Sequence, residues 1–309
     1  MFEIADRLIA AHERGAALVV ATAVSIVGSA PRTVGTSMAF DGETVIGSIA
    51  GGCVEGAVVE VCELVLADGR PRTVEYGISD DLAFSAGLTC GGTLRIHVQP
   101  VTESLAASLR DGVPIAFDCT DGDEPFVDVP VVRPHLIIFG AMEFSAALAA
   151  AADLVGYRVT VCDPRSLFAT QARFPSAELV VHWPVDFLAD AAVDERTAVC
   201  VLSHDQRFDA ELIALALSLD VEYVGAMGSR TTHDRRVESL RERGVTDEAL
   251  ARLHSPIGLD LGASSPAETA ISILAEIMAA RTGSTAAPLT TTHGSIHRLR
   301  VSQLPEPVA

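Results

Sequence analysis

Two short stretches of the 309-residue chain place a thiol beside paired glycines. Gly51-Gly52-Cys53-Val54-Glu55 sets a cysteine at the start of a helical pattern, where the helix dipole favours thiolate character. Gly87-Leu88-Thr89-Cys90-Gly91-Gly92 sets a second cysteine against a diglycine, in a loop where backbone can approach a ligand closely. A lone cysteine at a helix start is more often packing; two of them, each beside Gly-Gly in a loop, point to function. Soft thiolates suit a soft metal or a sulfur-bearing cofactor. Cys53 and Cys90 are therefore the candidate metal contacts, with Gly51, Gly52, Glu55, Gly91 and Gly92 around them. Upstream, Gly28-Ser29-Ala30-Pro31-Arg32 forms a turn whose Arg32 reads equally as a surface cation and as a phosphate partner.

A second set follows the apolar runs of the C-terminal half. In a parallel α/β sheet, ligands bind beyond the carboxyl ends of the strands, so residues there need no folding role to be polar. They are Gly140, Asp163-Pro164-Arg165, His182, Ser203-His204-Asp205, Gly225 to Gly228 and His254. Asp163 follows Gly140 at the spacing of an acidic residue that binds a ribose hydroxyl in dinucleotide folds. Gly228-Ser229-Arg230 opens a helix, where free N–H groups and an arginine suit an anion; Ser229 reads equally as a cap. The glycine fingerprint itself is altered. Gly140-Ala141-Met142-Glu143-Phe144-Ser145 puts Met142 where pyrophosphate needs a bare backbone, and Glu143 adds negative charge at the helix start.

These residues need a scaffold, and the periodicities supply one: an α/β fold with a C-terminal Rossmann-like parallel sheet and a smaller N-terminal α+β domain. In the N-terminal part, residues 2–14 show helical spacing, 16–27 a β-rich apolar run, and 37–40 and 44–47 a hairpin about Asp41-Gly42. A helix ending at Asp68-Gly69 and strands near 71–77 and 93–99 follow. Residues 119–130, acidic and rich in Pro and Gly, read as a domain boundary, giving domains of 1–125 and 134–282 and a tail of 283–309. The second domain alternates strands (135–139, 157–162, 178–181, 197–202, 221–224) with helices near 143–155, 184–190, 207–218 and 230–243. Ser265-Pro266-Ala267-Glu268 combines an N-cap serine, a first-position proline and a capping-box glutamate for the last helix.

Composition narrows the classes. Apolar residues at 49% and charged ones at 20% describe a globular chain. A net charge of −19 makes a basic groove for nucleic acid improbable. No apolar stretch reaches membrane-spanning length and no signal-peptide pattern opens the chain, so the expectation is a cytoplasmic protein without a membrane partner. Six cysteines without a CxxC pair read as free thiols, most of them buried.

GSAPRTVGTSMAF, GSIAGGCVEGAV and GLTCGGTL resemble the N-terminal domain of the XdhC/CoxI family. HLIIFGA, CDPR, LSHDQRFDAELIALAL, YVGAMGSRTTHDRR and HSPIGLDLGASSPAETAISILAEIMAAR resemble its C-terminal Rossmann domain. The resemblance covers nearly the whole chain before the tail and implies an accessory protein of molybdenum hydroxylases such as xanthine and carbon monoxide dehydrogenases. Such a protein binds molybdenum cofactor, protects it during sulfuration by a cysteine desulfurase, and hands it to the apo-enzyme, with no turnover of its own. Cys53 and Cys90 then become ligands or guards of the cofactor, and Asp163, His204 and Asp205 take a pterin- or nucleotide-binding role. The chain departs from similar proteins at Met142-Glu143-Phe144, where they read Gly-His-Val. Two further readings stand beside this one. The Rossmann pattern and Asp163 suggest an NAD(P)-binding oxidoreductase, and a scaffold bridging desulfurase and dehydrogenase is the third. A homodimer is the expected assembly.

Overall fold

A computed structural model describes residues 1–28, 32–77, 92–117, 119 and 125–293. The chain divides into two compact units, with the boundary between Val132 and Arg133.

The first unit is built on a five-stranded antiparallel sheet: β1 (Val19–Val27), β2 (Ser37–Phe40), β3 (Val45–Gly47), β4 (Arg72–Tyr76) and β5 (Thr93–Pro100), in the order β3-β2-β1-β5-β4. Alternation along β1 feeds two cores. Val19, Ala21 and Ala23 pack with Val58, Cys62 and Val65 of α2 (Glu55–Asp68). Leu18 and Val20 pack on the other face with Leu8 of α1 (Ala5–Glu13) and Leu105 and Leu109 of α3 (Glu103–Asp111). Gly69 ends α2 in the left-handed conformation at φ 72°, where a Cβ would be strained. The hairpin β2–β3 turns on Asp41, whose carboxylate accepts from the Glu43 and Thr44 amides. A second hairpin pairs β6 (Ile115–Phe117) with β7 (Phe126–Asp128). Part of the acidic stretch taken as a boundary is therefore strand belonging to this unit. Phe126 stacks on Phe117 at 5.7 Å, and that apolar pairing holds the segment despite its Pro- and Gly-rich surroundings.

The second unit has six parallel strands: β8 (His135–Phe139), β9 (Arg158–Cys162), β10 (Glu178–Val180), β11 (Thr197–Val201), β12 (Tyr223–Ala226) and β13 (Leu253–His254). Their spatial order is β10-β9-β8-β11-β12-β13, which reverses direction between β8 and β11. Strands buried on both faces need helices on both, and β8 shows why. Leu136 and Ile138 pack towards α4 (Glu143–Leu154) and α9 (Pro266–Thr282), whereas Ile137 and Phe139 pack towards α5 (Pro184–Asp190) and α6 (Asp209–Ser218). Leu240 of α7 (Arg230–Glu242) joins the second face, and a single turn, α8 (Asp247–Leu250), leads into β13. The capping box expected at Ser265 and Glu268 forms, with both reciprocal hydrogen bonds present. The tail beyond residue 293 lies outside the described residues. No helix among the described residues is long and apolar enough to cross a membrane.

Candidate functional site

In the first unit the Gly-Gly-Cys segment crosses from β3 into α2, and Glu55 at the first position of that helix folds it. One carboxylate oxygen accepts from Ser48 Oγ at 2.7 Å and from the amides of Ile49 and Ala50 at 3.2 and 2.9 Å. The other accepts from the amides of Gly52 and Val54 at 2.8 and 3.2 Å. Burial raises this carboxyl, but the donors from Ala50, Ser48 and Gly52 outweigh it and hold the group at about 2 instead of 4.5. Glu55 is thus committed to the loop and acts on a ligand only by positioning its neighbours. Gly51 and Gly52 adopt φ of 74° and 108° with open space where a Cβ would stand. Their need for glycine is conformational, and the backbone above them is uncovered.

Cys53 rides on this loop, half-buried, whereas Cys62, Cys119, Cys162 and Cys200 are buried. Burial pushes the Cys62 thiol up to about 11 and that of Cys162 to about 12, and raises Cys200 as well. Those three are packing groups. Cys90 and Gly91 lie outside the described residues, and Gly92 is buried where β5 begins. Arg32 is exposed, and its Nη2 donates to Glu3 at 2.7 Å. Among the described residues, no three His, Cys, Asp or Glu side chains gather to hold a metal ion.

In the second unit a cleft of about 360 Å³ opens at the point where strand order reverses, lined by Gly140, Asp163, Arg165, Ser203, His204 and Asp205 among others. Gly140 turns out of β8 at φ 102°, and a Cβ there would meet the Ser203 backbone nitrogen at 3.0 Å. That close approach requires the glycine. Asp163, only 1% exposed, accepts from the Ala141 amide at 2.8 Å and the Arg165 amide at 2.9 Å. Arg165 completes a two-pronged pair with it, Nε to Oδ1 at 2.9 Å and Nη2 to Oδ2 at 2.7 Å. Burial alone would raise the Asp163 carboxyl; the bonds from Arg165 and Ala141 win and lower it. Four donors fill the four lone-pair directions of one carboxylate. A ribose hydroxyl could bind Asp163 only if Arg165 swung away.

Ser203, His204 and Asp205 do not converge. Ser203 Oγ donates to Asp209, Asp205 accepts from the Arg207 amide and guanidinium, and His204 is exposed. No triad exists here. The dinucleotide mode also fits poorly. Met142 stands 41% exposed at the N-cap of α4, and Glu143 holds the Arg173 guanidinium at 2.8 Å. Ser145, at the fingerprint position that favours a packing glycine, is fully buried with its hydroxyl unpartnered.

Beyond His204 and Gln206 a second cleft of about 560 Å³ continues, lined also by Asp209, Gly228, Ser229, Thr232 and Arg236. Ser229 is the N-cap of α7, its Oγ accepting from the Thr232 amide at 3.1 Å. Arg230 is exposed and borders a third cleft with Gly258 and Asp260. Asp209 and Arg236 were not expected at a site. The signals were there: an aspartate at the first position of a helix that follows a central strand, and an arginine four residues before Leu240 on the buried stripe of α7.

Comparison with known proteins matches residues 136–277 to the XdhC Rossmann domain and residues 11–77 to the XdhC and CoxI family. Among curated relatives, the uncharacterized protein YqeB of Escherichia coli K12 is 28% identical over 267 residues, 86% of this chain and 44% of that protein. This chain therefore spans less than half the length of that relative. The molybdenum cofactor insertion chaperone PaoD of the same organism is 29% identical over 87% of this chain and 84% of its own. A crystal structure described as a xanthine dehydrogenase from Bacillus halodurans superposes with a TM-score of 0.76 at 26% identity, covering 93% of this chain and 97% of that one.

Proposed function

The chain belongs to the XdhC and CoxI family, and from that premise we propose that it carries molybdenum cofactor as cargo. It protects the cofactor during sulfuration by a cysteine desulfurase and delivers it to the apo-enzyme of a molybdenum hydroxylase of the xanthine or carbon monoxide dehydrogenase type. It acts as a maturation factor, as a homodimer in the cytoplasm. Support from a relative comes from the cofactor-insertion chaperone matched along 84% of its length.

The observation that carries the reading is the Gly51–Cys53 loop. Five donors to Glu55 fix the diglycine turn that carries Cys53, which is half-buried against the core beneath α2, while four other cysteines are fully buried. A part-accessible thiol on an anchored loop suits a soft, sulfur-bearing cargo. Cys90 is proposed as its companion. An NAD(P)-dependent oxidoreductase is disfavoured by exposed Met142, by the Glu143–Arg173 pair and by the filled Asp163 carboxylate.

Cys53→Ala tests this. Purified parent and variant are loaded with molybdenum cofactor released from a donor enzyme, and bound molybdenum is measured after desalting. The variant should retain at most about a tenth of the parent's cofactor, with an unchanged melting temperature. Equal retention at equal stability would remove Cys53 from the reading.

A further inference from the structure

Arg236 is 8% exposed. Its Nη1 donates to Ser255 Oγ at 2.8 Å and its Nη2 to the Met227 carbonyl at 2.9 Å, and it makes no ion pair among the described residues. Buried guanidinium groups are ordinarily paired with an anion. Asp209 lines the same cleft. Its Oδ1 accepts from Ser203 Oγ, while Oδ2 receives no hydrogen bond among the described residues. Burial lowers the Arg236 pKa and raises that of Asp209, each against the pull of the other's charge. The two groups feel one another across the cleft without meeting.

Gly228 borders the same cleft, on the Arg236 side. A Cβ at residue 228 would come within 3.0 Å of Thr232 Cγ2 and 3.4 Å of Arg236 Nη1. The cleft is thus walled on one side by an acceptor with a free oxygen and on another by a donor with N–H groups to spare. A simple anion would satisfy Arg236 but be repelled by Asp209. A simple cation would meet the reverse. A ligand that donates on one side and accepts on the other satisfies both, and a flat ring carrying adjacent donors and a carbonyl does so with a single edge.

The geometry points to a subsite for a 2-amino-pyrimidin-4-one edge, the edge shared by pterins and guanine, with Asp209 accepting from the ring N–H and 2-amino group and Arg236 donating to the carbonyl. The identification of the pterin as the natural occupant rests on the proposed cargo; the recognition chemistry does not.

The test titrates the full-length protein with 6-hydroxymethylpterin, followed by its fluorescence, and with guanosine, inosine and adenosine by calorimetry. Pterin and guanosine should bind at least about tenfold more tightly than inosine, which lacks the 2-amino group, and adenosine should not bind measurably. Asp209→Asn, which keeps an oxygen for Ser203, should abolish the preference for guanosine over inosine. Gly228→Ala, by pressing a methyl group against Thr232 and the Arg236 guanidinium, should weaken both pterin and guanosine about tenfold or more. Melting curves confirm that each variant is folded. Equal affinity for guanosine and inosine, or tight inorganic pyrophosphate binding that excludes pterin, would overturn the assignment. Loading with molybdenum cofactor is measured in parallel. Cofactor bound without any 2-amino preference sinks the subsite alone, whereas no cofactor binding at all sinks the cargo reading.

Discussion

Replacing Glu55 by glutamine should loosen the Gly51–Cys53 loop while leaving the sheet behind it intact. The amide oxygen of glutamine can serve one side of the present cluster, Ser48, Ile49 and Ala50, or the other, Gly52 and Val54, but not both. Its NH2 group then faces N–H groups that have lost their acceptor. A carboxyl held at about 2 instead of 4.5 caps the linked stabilisation at about 3 kcal/mol, and solvent screening on a part-exposed loop reduces this to about 1–2 kcal/mol. Hydrogen exchange read by mass spectrometry reports it locally. The amides of Ile49, Ala50, Gly52 and Val54 should exchange about 5- to 30-fold faster at neutral pH. The sign with pH is fixed. A carboxyl whose folded value lies below its unfolded one stabilises fully above 4.5 and loses that contribution as pH falls towards 2, so the parent's advantage over the variant should shrink across that window. Unchanged exchange at neutral pH, or a difference that persists undiminished in acid, would refute the anchoring role.

The parent should bind NAD(P) weakly in a fluorescence titration, and Met142→Gly combined with Glu143→His should tighten that binding; tight binding by the parent would show that the side chains at the α4 start do not obstruct it. Acid should destabilise the second unit through His135, which burial and the neighbouring Arg158 hold at about 4, below its usual 6.5. The unfolded chain takes up this proton between 6.5 and 4 while the folded one refuses it, so stability should fall by up to about 1.4 kcal/mol per pH unit in that range, and denaturant melts of His135→Phe should lack this slope.

The parallel sheet was legible because its central strands are buried on both faces and read as unbroken apolar runs, HLIIF and TAVCV above all. β13, two residues long, carries no periodicity and could be found only from its pairing with β12. The β6–β7 hairpin escaped notice for a different reason. Its strands are three residues each, and the surrounding Asp, Gly and Pro dominate any window that contains them. At the site, glycines and strand ends announced themselves by type and position. The direction of each side chain did not. Glu55 looks like a ligand in sequence and proves to be an anchor, and Asp163 looks like a ribose acceptor and proves to be filled by Arg165 and Ala141. Arg236 looks like one more charge on a polar helix, yet it is buried and held by two loops, through Met227 after β12 and Ser255 after β13.

The altered fingerprint explains why a pterin subsite further along the cleft is physically reasonable. In a dinucleotide fold the pyrophosphate supplies negative charge to the positive end of the first helix. Here Glu143, the first residue of α4, supplies that charge from within the chain. Arg173 then locks the arrangement, its Nη2 on the Glu143 carboxylate at 2.8 Å and its Nη1 on the Ala141 carbonyl at 3.0 Å. A phosphate arriving at α4 would have to displace a carboxylate already neutralised by an arginine, and would gain little from a helix end so compensated. The β11 side of the cleft has no such internal substitute. Asp209 Oδ2 lacks a donor and Arg236 lacks a carboxylate among the described residues. A ligand's polar edge gains where the chain leaves its own groups to water, and in this cleft, among the described residues, those groups are Asp209 Oδ2 and the spare N–H groups of Arg236.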